Sequence, residues 1–365
     1  MACPADAGSG PLTGYERVRM ALAGCPPDRV PRGEFKLAPP LVAALAGRKP
    51  GDVPQEGPER WQVEEAAIRC LGADMVGVVA GELGSHAGCA ASGECAPDAD
   101  FAAVPGVPWL REVAYWSSRD LFVWALVDGP WQGLAGALGW SQAIMLLAGA
   151  AAGDHHTGRG DPSAGACGAD RWAGPGGEFP VEVEGLWFLQ LDRVLAQVGQ
   201  ALEAGADGIV LGEDVAYTDG LLLSPRLIRE HLWPLWREVV DRCGAVRTLR
   251  GERPLLVFHS DGRVEPLIPV IREAGFDGLH SLEPEAGMDA AALVTAYRGR
   301  LGLLGGLSVD LLSRGTREEV EREAVRLARA AREGGLVVGC SSGLLPEGVS
   351  AANLLAAYRA LDVPL

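Results

Sequence analysis

Three observations predict an α/β protein in the form of a closed (β/α)8 barrel. Eight short apolar runs recur along the 365 residues, plausible helices separate the later runs, and several runs end in polar residues instead of a quiet turn. Short buried strands alternating with helices require parallel pairing, and eight such units suggest closure. An open doubly wound sheet is the competing arrangement. No run is followed by GxGxxG or GxxxxGK[ST], so the dinucleotide and P-loop fingerprints are both missing.

The runs lie near Gly33–Leu37, Met75–Val79, Leu121–Val127, Gly208–Gly212, Leu255–His259, Gly278–Leu282, Leu303–Leu307 and Leu336–Cys340. The first is the weakest. A short amphipathic helix is expected over Tyr15–Ala23, stopped by Gly24 and the Pro26-Pro27 pair. Later helices are expected over Pro225–Arg242, Glu265–Ala274, Met288–Tyr297 and Thr316–Glu333. Ser224 before Pro225, and Thr316 before Arg317-Glu318-Glu319, supply the N-cap chemistry. Residues 1–14 read as a flexible leader, and 15–365 as one barrel domain. The stretch at about 153–180, poorest in structure from Gly158 to Gly177, reads as a Gly-rich surface loop or lid. No repeat of fixed period is visible.

Composition limits the function. Lys+Arg number 32 and Asp+Glu 48, giving a net charge of −16, which argues against a nucleic-acid surface or a polybasic membrane contact. A hydrophobic fraction of 48% excludes a chain disordered throughout. The apolar segment Gly133–Gly153 is broken by Ser141 and Gln142 and reads as a buried helix, not a membrane span. The eight cysteines form no CxxC pair and the N-terminus MACPADAGSG is not a secretory leader, so free thiols in a reducing cytoplasm are expected.

In a barrel the chemistry sits at the C-terminal ends of the strands. The polar strand ends here are Asp128-Gly129-Pro130, Glu213-Asp214, His259-Ser260-Asp261-Gly262, His280-Ser281 with Glu283, Ser308 with Asp310, and Cys340-Ser341-Ser342. His259 and Asp261, two residues apart, can face one centre. Glu283 and Cys340 could complete a tetrahedral site suited to zinc. The competing reading makes His259 a hydrogen-bonded pocket residue and Cys340 a small buried hydrophobe. Glu213 and Asp214 form an adjacent acidic pair, of which alternation allows one to face the pocket as a general acid. Asp128 can anchor a substrate or close an Asx-turn. Trp131, His280 and Ser341 are candidate cofactor-binding residues. His155-His156 lie beside the Gly-rich stretch, and His86 near Cys89 and Cys95 does not match a zinc-module spacing.

Segments spanning nearly the whole chain carry a resemblance: ERVRMALAGCPPDRVP, LGADMVGV, ALVDGPWQGLAGALG, AGADGIVLGEDVAYTDGLLLSPRLIREHLWPLWREVVD, HSDGRVEPLIPVIREAGFDGLHSLEPEAGMD, GGLSVDLLSRGTREEV and GLVVGCSSGLLPEGVSAANLLAAY. The chain resembles the uroporphyrinogen decarboxylase (URO-D) superfamily, which includes the decarboxylases and the corrinoid- or coenzyme-M-linked methyltransferases. The resemblance implies a (β/α)8 TIM barrel with a deep pocket at its C-terminal face.

Two features bear on the branch. The decarboxylases carry a stretch resembling RPVWxMRQAGR that binds tetrapyrrole carboxylates, and here DRVPRGEFKLAPP keeps only Arg29, Arg32 and Lys36 of its charge. The cobamide-linked methyltransferases carry HxCG and a last-strand cysteine that together bind zinc. Here His259-Ser260-Asp261-Gly262 and Cys340 match it with Asp261 in the place of a cysteine, a change that hardens the site. Glu283 falls where related methionine synthases supply a carboxylate ligand. The resemblance therefore implies a methyltransferase acting between a small methylated substrate and a corrinoid protein or thiol. Its Zn2+ would be held by His259, Cys340, and Glu283 or Asp261, and a partner protein would carry the corrinoid. The alternative is cofactor-independent decarboxylation of a porphyrinogen, with Asp128 or another strand-end acid stabilising the protonated pyrrole. A binding or structural role would follow if the strand-end acids neutralised one another and no pocket existed. Relatives include homodimers, and no interface is legible in the sequence.

Overall fold

The computed structural model describes residues 10–81, 107–153 and 181–362, with the backbone alone for 148–153 and 181–184. The candidate lid, His86, Cys89, Cys95 and His155-His156 lie outside the described residues.

Seven parallel strands form one curled sheet in sequence order: Met75–Val79, Phe122–Asp128, Gly208–Gly212, Leu255–His259, Gly278–His280, Gly302–Leu307 and Leu336–Cys340. The expected eighth strand does not form as a regular element. Residues 31–35 instead reach both edge strands: Gly33 N–H donates to Val338 O at 3.1 Å and Val338 N–H to Pro31 O at 2.9 Å. On the other side Asp74 N–H donates to Arg32 O at 2.7 Å and Gly77 N–H to Phe35 O at 2.9 Å. Pro31 has no N–H to give, which keeps this segment from a full ladder. Lys36–Leu37 then pairs with Leu344–Leu345.

Alternation along the strands sorts the core into two layers. Phe35, Met75, Phe122, Trp124, Val210, Leu255, Val257, Leu304 and Val337 form the inner cluster. Helix Gly14–Leu22 adds Val18, Ala21 and Leu22 to it, closing the end of the sheet from which the strands start. The intervening residues, among them Val76, Val123, Ile209, Leu256, Phe258, Leu279, Val338 and Cys340, pack outward against the surrounding helices.

The helices follow their cap signals, with local departures. Thr13 with Glu16 and Thr316 with Glu319 each complete a capping box. The helix expected over Pro225–Arg242 divides into Pro225–Leu227, a π turn at Ile228–Leu232, and Trp233–Ala245. Pro234 has no N–H for the carbonyl of Glu230, so the backbone widens there. The apolar Gly133–Gly153 segment divides between helices Pro130–Leu138 and Trp140–Gly153. No helix among the described residues is long and apolar enough to cross a membrane. Leu12, within the expected leader, is tied down by its N–H bond to Asp28 at 3.1 Å. Cys25 takes part in a disulfide, so the expectation of free thiols throughout does not hold there, whereas Cys70, Cys243 and Cys340 are free.

A recurrent Gly-x-Asp fixes the starts of the strands. In Gly72-Ala73-Asp74, Gly205-Ala206-Asp207 and Gly275-Phe276-Asp277, a left-handed glycine ends one turn and a mostly buried aspartate follows. Each carboxylate accepts an N–H from the neighbouring chain: Asp74 from Arg32 at 3.0 Å, Asp207 from Val123 at 3.0 Å, Asp277 from Leu256 at 2.9 Å. Arginines neutralise them: Arg17 at 2.5 Å and Arg29 at 2.7 Å on Asp74, Arg250 at 2.9 Å on Asp207, and Arg253 on Asp277. Asp74→Ala is expected to destabilise the fold by about 3–5 kcal/mol, because it leaves Arg29 without its carboxylate and Arg17 half-paired in a buried site. Urea denaturation checks this, and a loss under about 1 kcal/mol would contradict it.

Candidate functional site

Where the strands end, a cavity of about 230 Å³ opens. Phe35, Val79, Leu126 and Val210 give it an apolar floor, and Asp128, Asp214, His259 and Asp261 stand among its polar lining. The same alternation that builds the core selects these residues. Val210, Gly212 and Asp214 share one face of their strand and its continuation, as do Val257, His259 and Asp261.

Asp214, His259 and Asp261 converge: one ligand atom from each lies within 4.8 Å of the other two. His259 Nε2 is 3.8 Å from Asp214 Oδ1 and 3.9 Å from Asp261 Oδ1. Two hydrogen bonds hold Asp214, one at its main-chain carbonyl and one at its carboxylate. Asp214 O accepts the Trp131 indole N–H at 3.0 Å, and Asp214 Oδ1 accepts Asp261 N–H at 3.0 Å. Burial, together with the charge of Asp214, raises the pKa of Asp261 against the opposing pull of His259.

The tautomer of His259 follows from its neighbour. His280 Nε2 faces the carbonyl of Cys340 at 3.3 Å, and a carbonyl can only accept, so this nitrogen carries a proton. Burial, and then the nearby His259, push the His280 pKa well down, so the ring is neutral and its Nδ1 is an acceptor. His259 Nδ1, 2.7 Å away, is therefore the donor, and His259 Nε2 faces the two carboxylates. Phe35 holds His280 from the side, edge to face at 4.7 Å.

Other sequence-derived candidates are placed elsewhere. Glu213 is fully buried and faces outward, accepting the Trp236 indole N–H at 2.7 Å and Gln132 N–H at 3.0 Å. It caps helix Pro130–Leu138 from outside, and a Cβ on Gly129 would lie 2.4 Å from its Cδ, so the capping needs glycine there. Cys340 is buried on the outward face; its thiol donates to Ser342 O at 3.1 Å, and its backbone N–H donates to the Glu34 carboxylate at 3.1 Å. Glu283 is half-buried and accepts Gly262 N–H at 2.9 Å. Neither Cys340 nor Glu283 joins the group around His259. Trp131 is fully buried and supports Asp214, and His280 stands behind His259. Ser341 is buried, with its N–H on Leu307 O at 2.8 Å. Asp128 is exposed at the rim.

Sequence reasoning missed Glu34, which accepts the Tyr358 hydroxyl at 2.5 Å as well as Cys340 N–H. A lone acid next to the inward-facing Phe35 in a weak strand gives no sign of that role. Arg29 pairs with Asp74, Arg32 pairs with Asp362 at 2.9 Å, and Lys36 meets Glu112 at 2.6 Å and Glu64 at 3.5 Å.

No protein-family model matches this chain, and no curated protein matches it. Among solved structures it is similar to a methyltransferase from Methanosarcina mazei, at 20% identity over 96% of this chain and 98% of that one, with a TM-score of 0.65. At this identity the likeness is one of fold.

Burial, the largest influence, pushes the Glu213 carboxyl from 4.5 up to about 8, against the pull of its N–H donors. The folded state keeps this proton where the unfolded chain has lost it, so stability falls as pH rises from about 4.5 through about 8. Each unit of displacement is worth roughly 1.4 kcal/mol. Comparison of urea midpoints at pH 6 and pH 9 is expected to show this decline in the wild type and a shallower one in Glu213→Gln. Equal slopes would contradict the assignment.

Proposed function

We infer that this chain is a methyltransferase of the cobamide-linked branch of the URO-D superfamily, moving a methyl group between a small methylated substrate and a corrinoid protein or thiol. One observation carries the reading: a small, apolar-floored cavity ends on an imidazole nitrogen that stands between two carboxylates. The fold similarity to a structure named as a methyltransferase supports it.

The transfer moves carbon without its bonding electrons. The acceptor nucleophile supplies the pair for the new bond to the methyl carbon, while the leaving heteroatom keeps the old pair and takes one proton. The apolar floor receives the methyl group and excludes water from it. Asp128, outside the His259 group and exposed at the rim, would anchor the substrate, and solvent water at the rim would supply that proton. A divalent ion at His259 would supply Lewis-acid activation of the heteroatom or thiol. The corrinoid chemistry would belong to a partner protein.

Tetrapyrrole decarboxylation is the weaker reading. A cavity of about 230 Å³ falls below the roughly 300–1,000 Å³ of pockets that hold drug-sized ligands. Arg29, Arg32 and Lys36, the charges available for a polycarboxylate, are engaged with acids of the chain itself.

The test is transfer from a panel of methylated amines, ethers and thioethers to reduced cobalamin, followed by the appearance of methylcobalamin. At least one donor is expected to react, and His259→Ala to slow the reaction by at least about a hundredfold. A panel with no transfer to cobalamin or to a thiol, or a His259→Ala variant with the wild-type rate, would overturn the reading.

A further inference from the structure

We propose that Asp214, His259 and Asp261 form a divalent-cation site with nitrogen and oxygen ligands alone, and that His280 orients its imidazole. This rests on the reading above only for the use of the ion, since binding itself needs no turnover.

Geometry supports the set. Bonds of about 2.1 Å place neighbouring ligand atoms roughly 3.0–3.4 Å apart, so His259 Nε2 and the aspartate oxygens, now 3.8 and 3.9 Å from it, need to close by less than about 1 Å. Rotation of two carboxylates, the more exposed Asp261 above all, covers that distance. Without a cation, two carboxylates face each other across one imidazole, and a positive ion relieves their repulsion. All three ligands approach from the strand ends, so coordination positions remain open toward the cavity.

His280 has a separate role. Its Nδ1 accepts from His259 Nδ1, which commits the other nitrogen of His259 to ligation. Cys340 contributes its carbonyl to this chain of contacts and not its thiol, because period-two alternation turns that side chain to the opposite face of the strand. A carboxylate-rich set lacking thiolate suits Mn2+, Fe2+, Co2+ or Zn2+ and does not favour softer ions.

The experiment strips the full-length protein of metal and titrates it with Mn2+, followed by electron paramagnetic resonance, and with Co2+, followed by absorption. One ion per chain is expected, and the Co2+ adduct should show d–d bands without a sulfur-to-cobalt charge-transfer band. Cys340→Ala should keep stoichiometry and spectrum. Asp214→Asn and Asp261→Asn should each weaken binding at least tenfold while folding normally by circular dichroism, since each removes like-charge repulsion. His280→Gln should weaken it about ten- to a hundredfold and broaden the Co2+ bands, as expected for a positioning residue. A wild-type protein that binds no ion, or a charge-transfer band lost in Cys340→Ala, would overturn the proposal. Ion binding without methyl transfer would overturn the proposed function and leave this site standing; methyl transfer by a wild-type protein that takes up no ion in either titration would do the reverse.

Discussion

Side-chain alternation in a curled parallel sheet is the constraint from which the rest of this structure follows. Each strand has one face toward the interior and one toward the helices, and the chain cannot change face within a strand without a bulge. Apolar residues set the phase: Val210, Val257 and Val337 point inward. Every later residue on those strands inherits its direction. Asp214, His259 and Asp261 arrive at the cavity, while Glu213 and Cys340 arrive in the helix layer. Two acids adjacent in sequence thereby acquire opposite roles, one lining a cavity and one capping a helix.

The two ends of the sheet divide the work. At the end where strands begin, Gly-x-Asp turns join neighbouring strands through buried carboxylates and their arginine partners. At the other end the polar groups are less completely satisfied. Here His259 Nε2 has carboxylates no nearer than 3.8 Å, and Asp261 carries a raised pKa. Saturated ion pairs suit a structural face, and an incompletely partnered imidazole suits a binding face.

Much of this was legible in the sequence. Four of the apolar runs, at Met75–Val79, Gly208–Gly212, Leu255–His259 and Leu336–Cys340, coincide with strands. The polar strand ends pointed to the cavity, and alternation warned that Glu213 and Asp214 would diverge. The weak first run was hidden because Pro31 denies it a full ladder. His280 against His259 was unreadable, since it depends on the register that sets Phe258 beside Leu279 and His259 beside His280. The direction of Cys340 could have been counted from Val337, but its resemblance to a metal-binding cysteine competed with that count. The arginines at 29 and 32 gave no sign of their partners Asp74 and Asp362, the latter 330 residues away from Arg32.

Asp214, His259 and Asp261 together make one centre facing the cavity. The decisive measurement is anomalous scattering from a crystal of the protein grown with Mn2+. One strong peak is expected within about 2.0–2.3 Å of ligand atoms from all three residues, with the Cys340 sulfur outside coordination distance. A peak bridging His259 and Cys340, or density showing Asp214 turned away from the cavity, would contradict it.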